Sequence, residues 1–140
     1  MVDKKEINEA KAAAREVLRL LDGVEGTLKS ARNWGFFDMF SNRSMISSLI
    51  KFGRINKAEE QLREVQRALW RLQKELGDIN LSVRDSLNIG GFQAFLDIAF
   101  DNIISDWLTQ SRIHETLREV NYLRGEVQRV LANLDQLETT

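Results

Sequence analysis

The chain has 140 residues, of which 43% are hydrophobic and 29% are charged, and its formal net charge is −1. These values are ordinary for one soluble globular domain; they exclude a disordered chain and argue against a nucleic-acid binder, which carries a basic excess. The absence of cysteine excludes disulfides and thiolate chemistry. With no apolar signal segment and no apolar run long enough to span a membrane, we expect a cytoplasmic protein.

Three segments carry a seven-residue apolar repeat and are predicted to form long helices, at about residues 3–31, 54–77 and 112–138. The absence of proline, which breaks helix interiors, permits such lengths. Of the 24 repeat positions, 23 are apolar, where composition predicts about ten. The repeat places these side chains on one stripe of each helix, facing a neighbouring helix. The predicted core positions are Ile7, Ala10, Ala14, Val17, Leu21, Val24, Leu28, Ala31, Ile55, Ala58, Leu62, Val65, Leu69, Leu72, Leu76, Ile79, Ile113, Thr116, Val120, Leu123, Val127, Val130, Leu134 and Leu137.

The first long helix begins with a predicted capping box, Asp3 with Glu6. Further along, Gly23 and Gly26 occupy outward positions, where each costs roughly 1 kcal/mol relative to alanine. A glycine at such a position allows another backbone to approach closely. That neighbour is either the segment 36–52 or a second protomer.

Between the first and second long helices lies the aromatic segment, residues 34–40, which we interpret as a loop. Large aromatic and methionine side chains are typical anchors of protein interfaces. The amphipathic stretch 42–52 follows it, with Ser41 and Asn42 as candidate N-caps. Three roles stay open for this region: packing over one end of the bundle, binding a protein partner or second copy, and contacting a membrane. The candidate partner-binding residues are Trp34, Phe36, Phe37, Met39 and Phe40.

The run Asn33-Trp34-Gly35-Phe36-Phe37-Asp38-Met39 is followed some twenty residues later by Arg54-Ile55, which opens a charged helix. This arrangement, over roughly residues 30–76, resembles a feature of uncharacterised helical proteins from Gram-positive bacteria. The resemblance implies that the aromatic segment is a fixed part of the fold. It implies no activity, ligand or partner.

The second long helix, predicted to end at Gly77 and Asp78, carries a line of basic residues on its outer face. Partial neutralisation is expected from Glu59 to Arg63 and from Arg71 to Glu75. The line either meets an acidic partner, RNA or phospholipid, or is a solvated face, which the near-zero net charge favours. We call it the basic stripe, and its members are Arg63, Arg67, Arg71 and Lys74.

A shorter apolar helical segment is predicted at 92–108, after a connection that ends at the Gly90–Gly91 breaker. Its apolar residues cover more than one side, which indicates burial on several faces. Asp97 and Asp101 lie one turn apart, as a candidate cation-binding pair, as polar groups beside a pocket, or as a solvated edge. Whether 92–138 is one helix or two stays open. A likeness between 45–55 and 103–113 fits either duplication of a helical pair or convergence.

Little in the sequence supports catalysis. The single histidine, His114, cannot form a histidine-based metal cluster and is expected on the surface, and the chain contains no Glu-x-x-His and no phosphate-binding glycine loop. We therefore expect no cofactor, no metal and no catalytic residue.

The sequence predicts an all-α antiparallel bundle of about four helices, three of them long with heptad-like cores, in one domain over 1–140. It favours a non-enzymatic interaction or scaffold protein of the bacterial cytoplasm, with a homodimer or another helical protein as partner and no nucleic acid. One alternative is a peripheral membrane-surface protein that uses 36–52. A second is an enzyme or small-ligand carrier with a pocket near 92–108.

Overall fold

The computed structural model contains three helices and no strand among the residues that it describes. These helices are α1 (Lys4–Ser41), α2 (Ser44–Gly77) and α3 (Ile113–Thr139). Residues are described over 4–41, 44–79 and 113–139, and side chains over 4–32, 57–79 and 113–137. The all-α prediction is confirmed over these ranges. The predicted connection at 80–91 and the predicted helix at 92–108 lie outside them.

The helix α1 is longer than expected, and this corrects the interpretation of residues 34–40 as a loop. At 38 residues it is about 57 Å long and runs through the backbone of the aromatic segment to Ser41. A single glycine, Gly35, interrupts this stretch at a cost of roughly 1 kcal/mol, which a continuous hydrogen-bonded helix tolerates. The next helix begins at Ser44 and takes in most of the stretch 42–52 that was predicted as a separate element.

The C-terminus of α2 is where the sequence places it. The helix ends at Gly77, and the amide of Asp78 donates to the carbonyl of Lys74 at 3.2 Å. The amide of Ile79 donates to the carbonyl of Leu76 at 3.2 Å, a tightened i→i−3 turn that satisfies this carbonyl at the helix end. Ile79 is buried just beyond the helix end.

The heptad positions form the hydrophobic core, as predicted. Every predicted position is buried except Ile113 and Leu137, which are partly buried, and Ile55, which lies outside the described side chains. Residues such as Leu21, Leu72 and Leu123 have no exposed surface.

The buried face of α1 is wider than its heptad stripe because α1 packs against both α2 and α3. Ala13 is 3% exposed and Lys11 is 8% exposed, although neither occupies a predicted core position. A heptad stripe identifies the side of a helix that faces one neighbour. A helix that packs against two neighbours also buries side chains on a second side. The sequence repeat of α1 therefore identifies only part of its interior.

Among the described residues, ion pairs connect α1 to α3 at two places. The Lys11 ammonium lies 2.6 Å from the Asp135 carboxylate, and the Arg124 guanidinium contacts Glu25 and lies 3.1 Å from Asp22. Along these contacts the α3 residue numbers fall as the α1 numbers rise. The Arg124 side chain is only 19% exposed, so the charges of its carboxylate partners offset part of the hydration that the guanidinium has lost.

The contacts between α1 and α2 have the same sense. Glu6 lies beside Glu75 and Asp78, whereas a Cβ atom at Gly23 would lie 3.4 Å from Nε2 of Gln61. The α2 residue numbers therefore also fall as the α1 numbers rise.

The ion pair of Glu25 predicts a loss of stability in acid. The hydrogen bond from Lys29 and then that from Arg124 lower the pKa of Glu25 from its ordinary value of 4.5. Because the folded-state pKa is the lower one, this stabilisation is complete above the unfolded-state pKa and is lost as the pH falls through the folded-state pKa. Arg124→Met should reduce the free energy of unfolding at about pH 7 and weaken its fall towards about pH 3, measured by urea unfolding.

Arg129 provides the matched control, because it pairs with Glu126 within α3 at 2.8 Å and is 40% exposed. Exposed ion pairs of this kind contribute little to the free energy of unfolding. Arg129→Met should therefore leave the pH dependence of that free energy unchanged. Equal pH profiles for the two variants would contradict the assignment.

Gly26 offers a second test of the packing. No described heavy atom lies within 4 Å of the place that a Cβ atom would occupy there. Gly26→Ala should therefore raise the free energy of unfolding by about 1 kcal/mol, because alanine has the higher helix propensity. Thermal unfolding followed by circular dichroism measures this. A loss of stability instead would show that another backbone occupies that face.

Candidate partner-binding surface

The basic stripe lies on the outer face of α2. All four of its side chains are exposed, and their spacing of three or four residues places them along one side of the helix. The Arg63–Lys74 span covers about 16 Å of helix. Its members are Arg63, Arg67, Arg71 and Lys74.

An exposed tryptophan lies in the middle of the stripe, and the sequence analysis missed it. Trp70 is 58% exposed, and it follows Arg67 by three residues and precedes Lys74 by four, which places the three on one side of α2. Its position could have been predicted from the sequence, because Trp70 falls between the heptad positions Leu69 and Leu72 and therefore faces away from the core. Tyr122 on α3, at 59%, is the other exposed large hydrophobic residue among those described.

The positive charges of the stripe are only partly neutralised. The predicted pair of Glu59 with Arg63 is confirmed at 3.2 Å. The predicted pair of Arg71 with Glu75 is wrong: the carboxylate of Glu75 lies within 4.8 Å of those of Glu6 and Asp78 instead. Among the described residues, neither Arg67 nor Arg71 forms an ion pair or a hydrogen bond.

A groove of about 310 Å³ runs between α1 and α2 next to the stripe. Its apolar part consists of small or partly buried side chains, and its rim consists of charged ones. Alanine on both helices leaves space that larger side chains would fill. The apolar part is made of Ala13, Leu20 and Ala68, and the rim of Glu16, Arg19, Glu64, Arg67 and Arg71.

The rim carries more positive than negative charge. Arg19 donates two hydrogen bonds to Glu16, from Nε at 2.9 Å and from the terminal nitrogen at 2.5 Å. The hydrogen bond from Arg19, with smaller contributions from the positive charges of Arg19 and Arg71, lowers the pKa of Glu16. The Glu16 carboxylate in turn raises the pKa of Arg19. Arg19 is thus held by Glu16, while Arg67 and Arg71 have no ion pair with any described residue.

Three carboxylates lie within 4.8 Å of one another where the N-terminal end of α1 meets the C-terminal end of α2. They belong to Glu6, Glu75 and Asp78. The sequence analysis expected no metal and did not bring these residues together, because the contact depends on how the two helices pack. Asp78 is exposed, and exposed acidic groups often lie near one another without an ion. We assign no metal to this group.

Among the described side chains, none of the other predicted site residues lines this surface. Trp34, Phe36, Phe37, Met39 and Phe40 belong to α1 by their backbone, but their side chains lie outside those described. Asp97 and Asp101, with the predicted pocket near 92–108, lie outside the described residues. His114 is exposed at the start of α3, as expected.

Comparison with known proteins found no matching family model, no matching curated protein and no matching solved structure. Over the residues described, none of the helices has a stretch long and apolar enough to span a bilayer.

The exposure of Trp70 predicts that it contributes little to folding. Trp70→Ala should change the free energy of unfolding by no more than about 0.5 kcal/mol, the usual range for surface substitutions. Tyr122→Ala, at equal exposure on another helix, is the matched control and should behave alike. Urea unfolding of both variants measures this, and a much larger loss for Trp70→Ala would show that its indole belongs to the core.

Proposed function

We propose that this chain is a non-enzymatic helical interaction protein of the bacterial cytoplasm, whose partner docks on the outer face formed by α1 and α2. The observation that carries the proposal is Trp70, exposed in the middle of the basic stripe. Tryptophan and arginine are the residues most enriched among those that dominate binding energy at protein interfaces. Here they lie together on one side of a helix.

The groove bordered by Arg67 and Arg71, on the side of the basic stripe away from Trp70, supports docking of a folded partner. It is concave and has an apolar part, whereas a purely solvated face has neither property. Arg67 and Arg71 have no ion pair among the described residues, so a partner's carboxylates can bind them without first displacing an internal one.

The architecture that we propose for this function is an antiparallel bundle of about four helices. Two observations support it: residue numbers fall along α2 and α3 as they rise along α1, and the sequence carries a further apolar segment at 92–108. The partner is a second copy of the chain or another helical protein.

Photo-crosslinking tests the proposal in cells of the native host. The aromatic cross-linker p-benzoylphenylalanine replaces Trp70 in one variant and Tyr122 in a matched control of equal exposure. We expect a protein adduct of defined mass from position 70 that is absent from position 122. An adduct of twice the chain's mass would identify a homodimer, which light scattering after size exclusion would then measure.

Two outcomes would overturn the proposal. One is the absence of any discrete protein adduct at position 70. The other is an identical set of adducts at positions 70 and 122, which is what random encounter with exposed aromatic side chains produces.

A further inference from the structure

We infer that the groove between α1 and α2 binds an acidic amphipathic helix of the partner protein. An apolar side chain of that helix would lie over Ala68, and its carboxylates would bind Arg67 and Arg71. The inference rests on the proposed function and adds the chemistry of the partner to it.

The shape of the groove favours a helix as the occupant. The α2 part of the lining extends from Glu64 to Arg71, eight residues that rise about 10 Å along the helix. A helix lying along this groove presents side chains at positions i, i+3, i+4 and i+7, two turns that match this length. The small side chains of Ala13 and Ala68 leave room for the apolar residues of such a helix.

The charge of the groove favours an acidic helix. Arg67 and Arg71 are four residues apart on α2, so their guanidinium groups stem from positions one helical turn apart. Two carboxylates one turn apart on the partner match this spacing, and each arginine can bind a carboxylate in bidentate fashion. Because Arg19 is already held by Glu16, the specificity lies with these two arginines.

The same charges disfavour a polyanion or a lipid surface. Glu16 and Glu64 share the rim with the arginines, so the positive charge without an ion pair among the described residues is confined to Arg67 and Arg71. Two arginines match a pair of carboxylates, whereas a polyanion presents a continuous row of phosphates. A membrane-bound helix needs a broad apolar face, whereas on this side of α2 Trp70 is the one large exposed apolar side chain described. A short acidic pair on a helix avoids both difficulties.

Binding of a designed peptide to the full chain tests the inference. The probe is a fluorescein-labelled helical peptide with leucine along one side and glutamate pairs one turn apart, and its control replaces each glutamate with glutamine. Fluorescence anisotropy should show that the glutamate peptide binds. The glutamine peptide should bind at least about tenfold more weakly. The affinity of the double variant Arg67→Glu/Arg71→Glu for the glutamate peptide should fall by a similar factor. A peptide with lysine in place of glutamate should bind this variant.

Arg63→Glu is the matched control, because Arg63 is paired with Glu59 and does not line the groove. It changes the net charge in the same direction and should keep binding within about twofold. Circular dichroism monitors folding of each variant. If the double charge reversal unfolds the chain, Arg67→Gln/Arg71→Gln replaces it with the same expectation of weaker binding.

Several results would overturn the inference: no binding of the glutamate peptide, equal binding of the glutamine peptide, or an equal loss for Arg63→Glu. Tighter binding to duplex DNA, or to vesicles of phosphatidylcholine with phosphatidylglycerol, would overturn it in favour of a nucleic acid or a membrane. The proposed function is tested separately. A specific cross-link at position 70 without peptide binding would reject the acidic helix and keep the interaction protein.

Discussion

Burial of α1 against two neighbours is the constraint on which the rest of this structure depends. Its apolar stripe, with residues such as Leu21 and Leu28 fully buried, packs within a core shared with α2 and α3. Burying each leucine contributes about 1.5–3 kcal/mol, and packing of this kind, more than intrinsic propensity, keeps long helices folded. The placement of α2 and α3 along α1 then decides which charged residues meet. The core and the candidate surface are thus two consequences of the same packing.

Two kinds of arginine occur among the described residues: one is largely buried in ion pairs between helices, and others are exposed on the surface. Arg124 is largely buried and contacts carboxylates of α1, so its charge is engaged within the molecule. Arg67 and Arg71 are exposed and, among the described residues, lack such partners. An exposed guanidinium keeps its hydration and contributes little to stability. The basic stripe therefore contributes little to folding, and we propose that it serves binding.

The groove arises where the α1–α2 interface ends at the surface. Small side chains at Ala13 and Ala68 continue the interface outward, and charged side chains border it. Trp70 lies on the adjacent outer face of α2, away from the core, at a position that the heptad repeat does not require to be apolar. A large apolar ring in water is unfavourable, and this is why we attach a binding role to this side of the molecule.

The helical class, most of the core positions and the end of α2 could be predicted from the sequence alone, because a heptad repeat and a terminal glycine act through local geometry. The packing of the helices against one another accounts for the rest: the second buried side of α1, the position of the Glu75 carboxylate beside Glu6 instead of Arg71, and the proximity of Arg71 to Glu16. These outcomes depend on which helix lies beside which, across more than fifty residues of chain. Residues 34–40 were predicted as a loop because they lie between two heptad segments, whereas α1 continues through Gly35 to Ser41. One glycine in this stretch costs only roughly 1 kcal/mol. Apolar periodicity can be read from one segment, whereas the groove and its charged rim are formed by residues of both α1 and α2.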